Sequence, residues 1–351
     1  MIGFLRSYGI SLGLVAAVVV FTLLFTGRDQ EILVLSGYTM GTSYRLQVVE
    51  RPGSLDGNRI QQDIGSLLNR LDRQVFSTYA EQSELSRFNR ASIDQPVRVS
   101  RELLEVVMLA REVSDLTDGA FDVTVGPLVN LWGFGPDASR DRVPSDQQIE
   151  AARAQVGYQH LQVNPEQSSL LRDADIYVDL SGIAKGYVVD QVALYLDSIG
   201  VQSYFLEIGG ELKIKGLKPG GQYWVPAVER PEDTAPQVYE ILNSQGEELA
   251  IAGSGDYRNY FEEDGVRYSH EIDPRTGRPI AHRLAAVYVI DSQTARADAL
   301  ATALMVLGYQ AGMALAESES LAVYFIVRTE NDFTAHYTEQ FGRYIQHEGG
   351  N

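Results

Sequence analysis

The 351-residue sequence contains no cysteine. This absence excludes thiol nucleophiles, disulfide bonds, thiolate metal sites and a lipid-modified cysteine that could serve as a membrane anchor. It leaves the compartment open, because a chain without thiols tolerates reducing and oxidising surroundings alike. Any chemistry must therefore rest on carboxylates, hydroxyls, histidines, lysines and backbone groups.

Positive charge is also scarce. The 29 lysines and arginines are outnumbered by 47 aspartates and glutamates, which gives a formal net charge of -18. Such a chain cannot neutralise phosphates along an extended surface, and this argues against nucleic-acid binding. A nucleotide could bind only where a local cation or metal ion offsets the charge. The 44% hydrophobic content indicates a globular protein with a substantial core.

Common signature motifs are missing as well. The sequence has no dinucleotide-binding glycine fingerprint, no Walker A loop and no metalloprotease histidine spacing, and it shows no internal repeat. Strand and helix patterns follow each other in mixed order, so we expect an α+β fold. We expect one mixed α/β domain over residues 30–345 and a C-terminal tail over residues 346–351.

Residues 1–29 contain a long apolar run. It extends from about Tyr8 to Thr26, follows Arg6, and is close to the ~20 residues that span a bilayer. A cleaved signal peptide would look similar but usually ends in a small-x-small site, whereas the residues around Phe21 are bulky. The pattern favours an uncleaved signal-anchor with Arg6 in the cytoplasm and the remaining chain outside.

A glycine turn within residues 177–190 predicts an anion-binding corner. Residues 176–179 predict a short strand that ends at Asp179, and a helix follows the turn at Gly182. Lys185 stands in the first helical turn, where unpaired N–H groups and the helix dipole favour an anion. The alternative is an ordinary strand-to-helix turn with a surface lysine.

The segment 294–307 predicts a buried helix that carries a carboxylate. Asp298 and Thr302 are four residues apart and share one face, while the helix is apolar nearly all round. A buried carboxylate needs a partner. That partner is either an arginine, such as Arg296 or Arg283, or a hard cation such as Mg²⁺ bound by carboxylate and hydroxyl oxygens.

Residues 270–279 combine turn chemistry with a high density of ionisable groups. The Asp-Pro-x-Thr-Gly run favours a turn, but loops with this many charged groups more often serve a ligand. His270 is the histidine that we select as a candidate acid or base.

Four short segments supply glycines or aromatic side chains that form a candidate set only together. A flat heteroaromatic ligand needs stacking faces and close backbone approach, although single aromatics are more often core residues. In the first segment, the glycine within Met40-Gly41-Thr42 indicates a strand interruption, such as a bulge or a ligand contact. The other segments are 78–79, 119–122 and 132–134.

Together these segments resemble the ApbE family of FAD:protein FMN transferases. The matching motifs follow the family's order over nearly all of the chain after the apolar run. They are residues 40–42, 77–79, 83–89, 118–122, 179–186, 208–211, 254–258, 270–277 and 297–302.

The resemblance implies a periplasmic, Mg²⁺-dependent enzyme with a mixed α/β fold. Such an enzyme would move FMN from FAD to a threonine or serine hydroxyl of a target protein and release AMP. Mg²⁺ would take the side chains of Asp298 and Thr302 and the carbonyl of Gly182. The implied FAD contacts are Met40, Tyr79, Ala120, Phe121, Asp122, Asp179, Lys185 and Ile272.

The implied partners are FAD, a target flavoprotein such as a subunit of the sodium-pumping NADH:quinone oxidoreductase, and the inner membrane. Many family members are anchored through a lipid-modified cysteine, which this chain lacks. The sequence itself therefore supplies the expectation of an inner-membrane anchor with a periplasmic catalytic domain.

Attack on a diphosphate needs charge neutralisation, which Mg²⁺ and Lys185 would provide. His270 is the candidate base, and a carboxylate near Asp298 is the alternative. Two other functions remain open from the sequence. One is an Mg²⁺-dependent FAD pyrophosphatase that yields FMN and AMP, and the other is a non-catalytic, membrane-anchored flavin-binding protein.

Overall fold

The computed structural model describes residues 30–135, 143–232, 235, 237–257 and 259–346. The predicted signal-anchor, residues 1–29, lies outside the described residues, as does all of the predicted tail except Gln346.

The described helices are eight α-helices, a π-helix and two 3₁₀ turns. In chain order they are α1 (Gly57–Asn69), the π-helix (Arg70–Phe76), α2 (Glu84–Asn89), α3 (Arg101–Leu116), α4 (Gly126–Leu131), α5 (Asp146–Arg153), a 3₁₀ turn (Tyr158–His160), α6 (Ala184–Ser198), a 3₁₀ turn (Pro219–Gly221), α7 (Thr294–Ser318) and α8 (Glu339–Gly342).

The described strands number seventeen. They are β1 (Glu31–Thr39), β2 (Thr42–Glu50), β3 (Val97–Arg98), β4 (Leu161–Asn164), β5 (Ser169–Arg172), β6 (Tyr204–Ile208), β7 (Glu211–Lys215), β8 (Ala227–Glu229), β9 (Val238–Ile241), β10 (Leu249–Gly255), β11 (Tyr260–Glu263), β12 (Val266–Ser269), β13 (Ile272–Asp273), β14 (Arg278–Pro279), β15 (Leu284–Asp291), β16 (Ala322–Arg328) and β17 (Phe333–Tyr337).

An antiparallel sheet of eight strands organises the fold, in the order β1-β2-β6-β7-β10-β15-β16-β17. Side chains alternate across it: Val287 and Val289 of β15 join the core that contains α6 and α7, while Ala286 and Ile290 join a second core. This alternation is the period-two pattern of a strand buried on both faces. The mixed α/β prediction is confirmed.

Helix α7 is a core helix, as its apolar sequence predicts. It packs against β10, β15 and α6, and Asp298 is buried within it. Of the described helices, only α7 is long and apolar enough to cross a bilayer, but its place under the sheet accounts for that composition. Gly308, with φ 76°, interrupts the helical backbone where the sequence predicts a helix end.

The interruption at Met40 and Gly41 is a hairpin turn rather than a bulge. Both residues have positive φ, 48° and 74°, between the paired residues Thr39 and Thr42. Two positive φ angles in a two-residue loop match the twist of the flanking strands.

The predicted strand at residues 176–179 is wrong. This segment forms no strand because other groups satisfy its backbone. The side chain of Asn89 accepts from Val178 N at 2.9 Å and donates to Val178 O at 2.8 Å. Asp179 N donates to Val123 O at 2.7 Å. The segment is therefore held in place without belonging to a sheet, and Ile176 and Val178 are buried.

Helices α6 and α7 cap each other. Neither helix has a side-chain cap on its own N-cap residue. Instead, Asp190 of α6 accepts from Thr294 N and Ala295 N, both at 2.9 Å. Asp298 of α7 accepts from Gly186 N at 3.0 Å. These N–H groups belong to the first turns of their helices, where backbone N–H groups have no hydrogen-bond partner within the helix.

Gly186 permits this close approach. A Cβ atom at position 186 would lie 2.4 Å from Thr294 O and 2.7 Å from Ala295 Cα, both backbone atoms. Since backbone cannot move aside as a flexible side chain can, we predict that Gly186→Ala lowers the free energy of unfolding by about 1–3 kcal/mol. Urea denaturation measures this change.

The matched control is Gly65→Ala at an exposed position of α1, where a Cβ meets nothing within 4 Å. It should raise stability by about 0.5–1 kcal/mol, the usual helical preference for alanine. If Gly186→Ala proves as stable as Gly65→Ala, the helix contact is not as tight as described.

Candidate active site

A cavity of about 660 Å³ lies where several parts of the fold meet. They include the β6–β7 turn, the end of β10, the loop 120–125, the segment 270–274, the start of α6 and one face of α7. The volume lies in the range typical of small-molecule and cofactor sites.

The cavity brings together ten of the twelve residues selected from the sequence. Met40 and Tyr79 do not line it. Met40 lines a second hollow of about 640 Å³ between the β1–β2 turn and α1, and Tyr79 is 73% exposed. The two hollows adjoin, because a Cβ at Gly209 of the first would lie 2.7 Å from Thr42 Cγ2 of the second.

The ten predicted residues that line the first cavity are Ala120, Phe121, Asp122, Asp179, Gly182, Lys185, His270, Ile272, Asp298 and Thr302.

Asp298, Gly182 and Thr302 converge at one wall of the cavity. Asp298 is 5% exposed, and a Cβ at Gly182 would lie 3.4 Å from Thr302 Oγ1. Among the described residues, neither predicted arginine bonds Asp298: Arg296 bonds Asp291 at 2.5 Å, Arg283 is exposed, and Asp298 instead accepts from Gly186 N. Burial raises the pKa of Asp298, although Lys185 and the Gly186 N–H counter it.

Lys185 projects from the first turn of α6 towards a buried carboxylate. Its Nζ donates to Glu211 Oε1 at 2.5 Å, and Glu211 is 2% exposed. Burial lowers the pKa of Lys185, but the charges of Glu211 and Asp298 outweigh it and raise the pKa to about 12. Burial and the charge of Asp298 raise the pKa of Glu211, against the opposing effect of Lys185. The lysine therefore stays protonated.

Negative charge dominates the cavity lining. Among the described residues that form it, Lys185 is the only lysine or arginine. The carboxylates in the lining are Asp122, Asp179, Glu207, Glu211, Glu229, Glu271 and Asp298. A phosphorylated ligand could enter such a cavity only together with a cation.

No group of three or more histidines, aspartates or glutamates within the described residues is arranged to hold a metal ion. A cation at Asp298 would therefore also need hydroxyl and backbone oxygens, which Thr302 and Gly182 supply. Oxygen ligands of these mixed types suit Mg²⁺.

His270 has its tautomer fixed by the backbone. Its Nδ1 lies 2.9 Å from Asn259 O, an acceptor, so in the neutral imidazole Nδ1 carries the proton and Nε2 is the acceptor. Nε2 lies 3.6 Å from Glu271 Oε1, which also accepts from Ser254 Oγ at 2.7 Å. The ring lines the cavity, so Nε2 can take a proton there.

The turn that follows His270 is structural. Gly277 N donates to Asp273 O at 2.8 Å, and Asp273 Oδ1 accepts from both the backbone and the side chain of Arg275 at 2.9 Å. The ligand-facing part of this motif is confined to His270, Glu271, Ile272 and Pro274.

Asp122 and Asp179 have local partners as well as a place in the cavity. Asp122 Oδ1 accepts from Thr124 N at 2.7 Å, and its Oδ2 accepts from Tyr158 N at 3.0 Å. Asp179 Oδ1 accepts from Ser181 N at 2.8 Å. Burial raises the pKa of Asp122 in spite of its hydrogen bonds. Both carboxylates thus hold loops in place.

The aromatic segments divide between core and cavity. Trp132 is 3% exposed, stacks on Tyr268 and donates from Nε1 to Gly277 O, so it is a core residue. Phe121 and Phe134 line the cavity and offer ring faces or edges to a ligand.

Sequence reasoning missed Glu211, Glu271 and Ser254 as site residues. Each stands inside a segment that resembles the family, and Glu211 opens a strand whose alternation predicts a buried position. That combination, a carboxylate at an inward-facing strand position, is the signal that identifies Glu211.

The sequence profile of the ApbE family matches residues 40–325. The chain is 48% identical over 312 residues to the FAD:protein FMN transferase of Vibrio cholerae, covering 89% of this chain and 92% of that protein. It is 39% identical over 345 residues to the FAD:protein FMN transferase of Escherichia coli, covering 94% and 96%.

Solved structures agree with these sequence relatives. The flavin transferase ApbE from Vibrio cholerae superposes with a TM-score of 0.82 at 46% identity, covering 90% of this chain and 99% of that one. The apo form of the Pseudomonas stutzeri flavinyl transferase ApbE gives a TM-score of 0.82 at 41% identity, covering 90% and 98%. The chain therefore belongs to the ApbE family of flavin transferases.

Proposed function

We propose that this enzyme transfers FMN from FAD to a threonine or serine hydroxyl of a target protein and releases AMP. The observation that carries the proposal is the single cavity that gathers Lys185, His270, Asp298 and Thr302 from distant parts of the chain. The proposal is supported by relatives named FAD:protein FMN transferase, which are similar to this chain over most of their length.

We further propose that Mg²⁺ binds the Asp298 carboxylate, the Thr302 hydroxyl and the Gly182 carbonyl. The fit is favourable because Asp298 is buried without a cationic side chain bonded to it, and because Thr302 Oγ1 lies beside Gly182. Bound there, the ion would neutralise charge on the diphosphate as the leaving phosphate departs.

The remaining chemistry belongs to the side chains. Lys185, held in the first turn of α6, offers its ammonium to a phosphate oxygen. The target hydroxyl oxygen forms a bond to the FMN-side phosphorus while the bond from that phosphorus to the AMP oxygen breaks. AMP leaves with the electron pair, and Nε2 of His270 accepts the hydroxyl proton. Met40 and Tyr79 complete the proposed FAD contacts beyond the cavity.

We propose a target such as a subunit of the sodium-pumping NADH:quinone oxidoreductase, reached from an inner-membrane anchor formed by residues 1–29, with the catalytic domain in the periplasm. The apolar run and Arg6 support the anchor.

One experiment separates the candidate functions. The purified full-length chain is mixed with FAD, Mg²⁺ and the candidate subunit, and the products are resolved on a denaturing gel. A fluorescent target band is expected for a transferase. Free FMN and AMP without a labelled target would indicate a pyrophosphatase, and unchanged FAD would indicate a binding protein.

The metal proposal predicts a specific defect for Asp298→Asn. The amide keeps an oxygen that accepts from Gly186 N but removes the charge that Mg²⁺ needs, so kcat should fall roughly 100-fold. Mg²⁺ should raise the melting temperature of the wild type but not of this variant, because only a bound ligand stabilises the folded state. Calorimetry measures the melting temperature and requires no turnover.

Glu317→Gln, an exposed change on the same helix, is the control and should keep both properties. Full transfer by Asp298→Asn at millimolar Mg²⁺ would refute the metal assignment.

The base assignment predicts that His270→Asn lowers kcat by roughly 10²–10⁴-fold, the usual contribution of a general base. FAD binding, followed by flavin fluorescence, should change little, since the proton moves only in the reaction. The control His160→Asn removes a half-exposed histidine bonded to Asp173, and activity should be retained. A retained kcat in His270→Asn would instead favour a carboxylate as the base.

A further inference from the structure

The carboxylate of Glu211 has one oxygen without a partner. Oε1 accepts from Lys185 Nζ at 2.5 Å, whereas Oε2 is buried and meets no donor among the described residues. Glu211 is 2% exposed and lines the cavity. A buried carboxylate oxygen that lacks a donor is unfavourable, so a ligand that brings a donor to it gains affinity.

The fold holds this oxygen in place. Glu211 is the first residue of β7 and pairs with Ile208 across the Gly209-Gly210 turn. The next residue, Leu212, pairs with Ile251 of β10, so β7 lies between two neighbouring strands. A side chain on a central strand, bonded through Oε1 to Lys185, cannot easily turn Oε2 towards another protein group. A bound ligand can bring the donor that the described residues do not supply.

The surroundings of Glu211 restrict the donor to one chemical class. Glu211 bonds Lys185, the proposed phosphate contact, and lines the same cavity as Asp298, so it stands at the proposed phosphate subsite. Phosphate oxygens are acceptors and cannot satisfy Oε2. Under the proposed function, the donors that flank a diphosphate are aliphatic hydroxyls: those of the sugar and ribityl parts of FAD, and the attacking hydroxyl of the target.

We propose that Glu211 is a substrate-binding residue, with Oε1 holding Lys185 and Oε2 accepting a hydrogen bond from an aliphatic hydroxyl beside the diphosphate. This inference rests on the proposed function and adds to it a residue that bonds the lysine and the substrate at once.

The test is Glu211→Gln in the full-length chain. An amide has a single acceptor oxygen, so it can serve Lys185 or the hydroxyl but not both. If the hydroxyl belongs to FAD, the Kd for FAD, measured by flavin fluorescence, should rise roughly 10- to 100-fold. If it belongs to the target, the Kd should stay within about twofold while kcat/KM for the target falls by the same factor. Either result supports the proposal, and wild-type values for both would overturn it.

A second comparison separates direct contact from an effect through the lysine. In a Lys185→Met background, Glu211→Leu removes the acceptor when there is no lysine left to position. For a direct hydroxyl contact, we expect a further loss of roughly 10-fold in the affinity for FAD or in kcat/KM for the target, whichever Glu211→Gln changes. Equal values for Lys185→Met and the double variant would show that Glu211 acts only through Lys185, and would overturn the proposal.

The matched control is Glu50→Gln, another buried glutamate of the sheet, whose Oε2 accepts from Leu55 N at 2.9 Å. It should change neither quantity. The proposed function is tested separately, by whether the wild-type enzyme labels the target with flavin. The FAD affinity used for Glu211 is measured without a target and does not depend on that result. A labelled target together with unaffected Glu211 variants would refute this inference alone.

Discussion

The reciprocal hydrogen bonding between α6 and α7 is the contact on which the candidate site depends. Each helix offers an aspartate to the unpaired N–H groups in the first turn of the other, so Asp190 and Asp298 replace the N-caps that neither helix has. Gly186 allows the backbones to meet there. The same contact fixes the positions of Lys185 and Asp298, because both stand within one turn of it.

Asp298 thus combines a structural contact with its proposed role as a metal ligand. One oxygen is bonded to the backbone of α6, which orients the carboxylate and lowers the cost of burying it. A carboxylate oriented in this way would bind the proposed cation with little reorganisation. The adjoining Gly182 and Thr302 extend the same arrangement with neutral oxygens.

The acidic character of the cavity is a local version of the net charge of the chain. Among the described residues, many carboxylates and one lysine line it, and burial raises the pKa of several of these carboxylates. This excess of negative charge in a buried place is unfavourable in the free protein, and a cation or hydrogen-bond donors from a ligand would relieve it. Local stability is given up here for binding, as is common at functional sites.

Much of the secondary structure could be predicted from local patterns. The apolar stretch of α7 is buried as its sequence predicts, and Ser100 caps α3 by accepting from Leu103 N, a common role for serine at a helix start. The prediction failed at residues 176–179, where an apolar run resembles a strand. There the side chain of Asn89, which is far away in sequence, takes both backbone groups of Val178. Periodicity carries no information about such a partner.

The sequence alone determined the family, the α+β class and most of the residues that meet in the cavity, because these depend on residue types in a fixed order. Only the tertiary structure decided which partners those residues have. It paired Arg296 with Asp291, and it bonded Glu211 to Lys185 while leaving the second oxygen of Glu211 buried without a partner among the described residues. The reason is physical: the cost of a buried charge is set by what surrounds it in space, and neighbours in space are chosen by the packing of helices and strands.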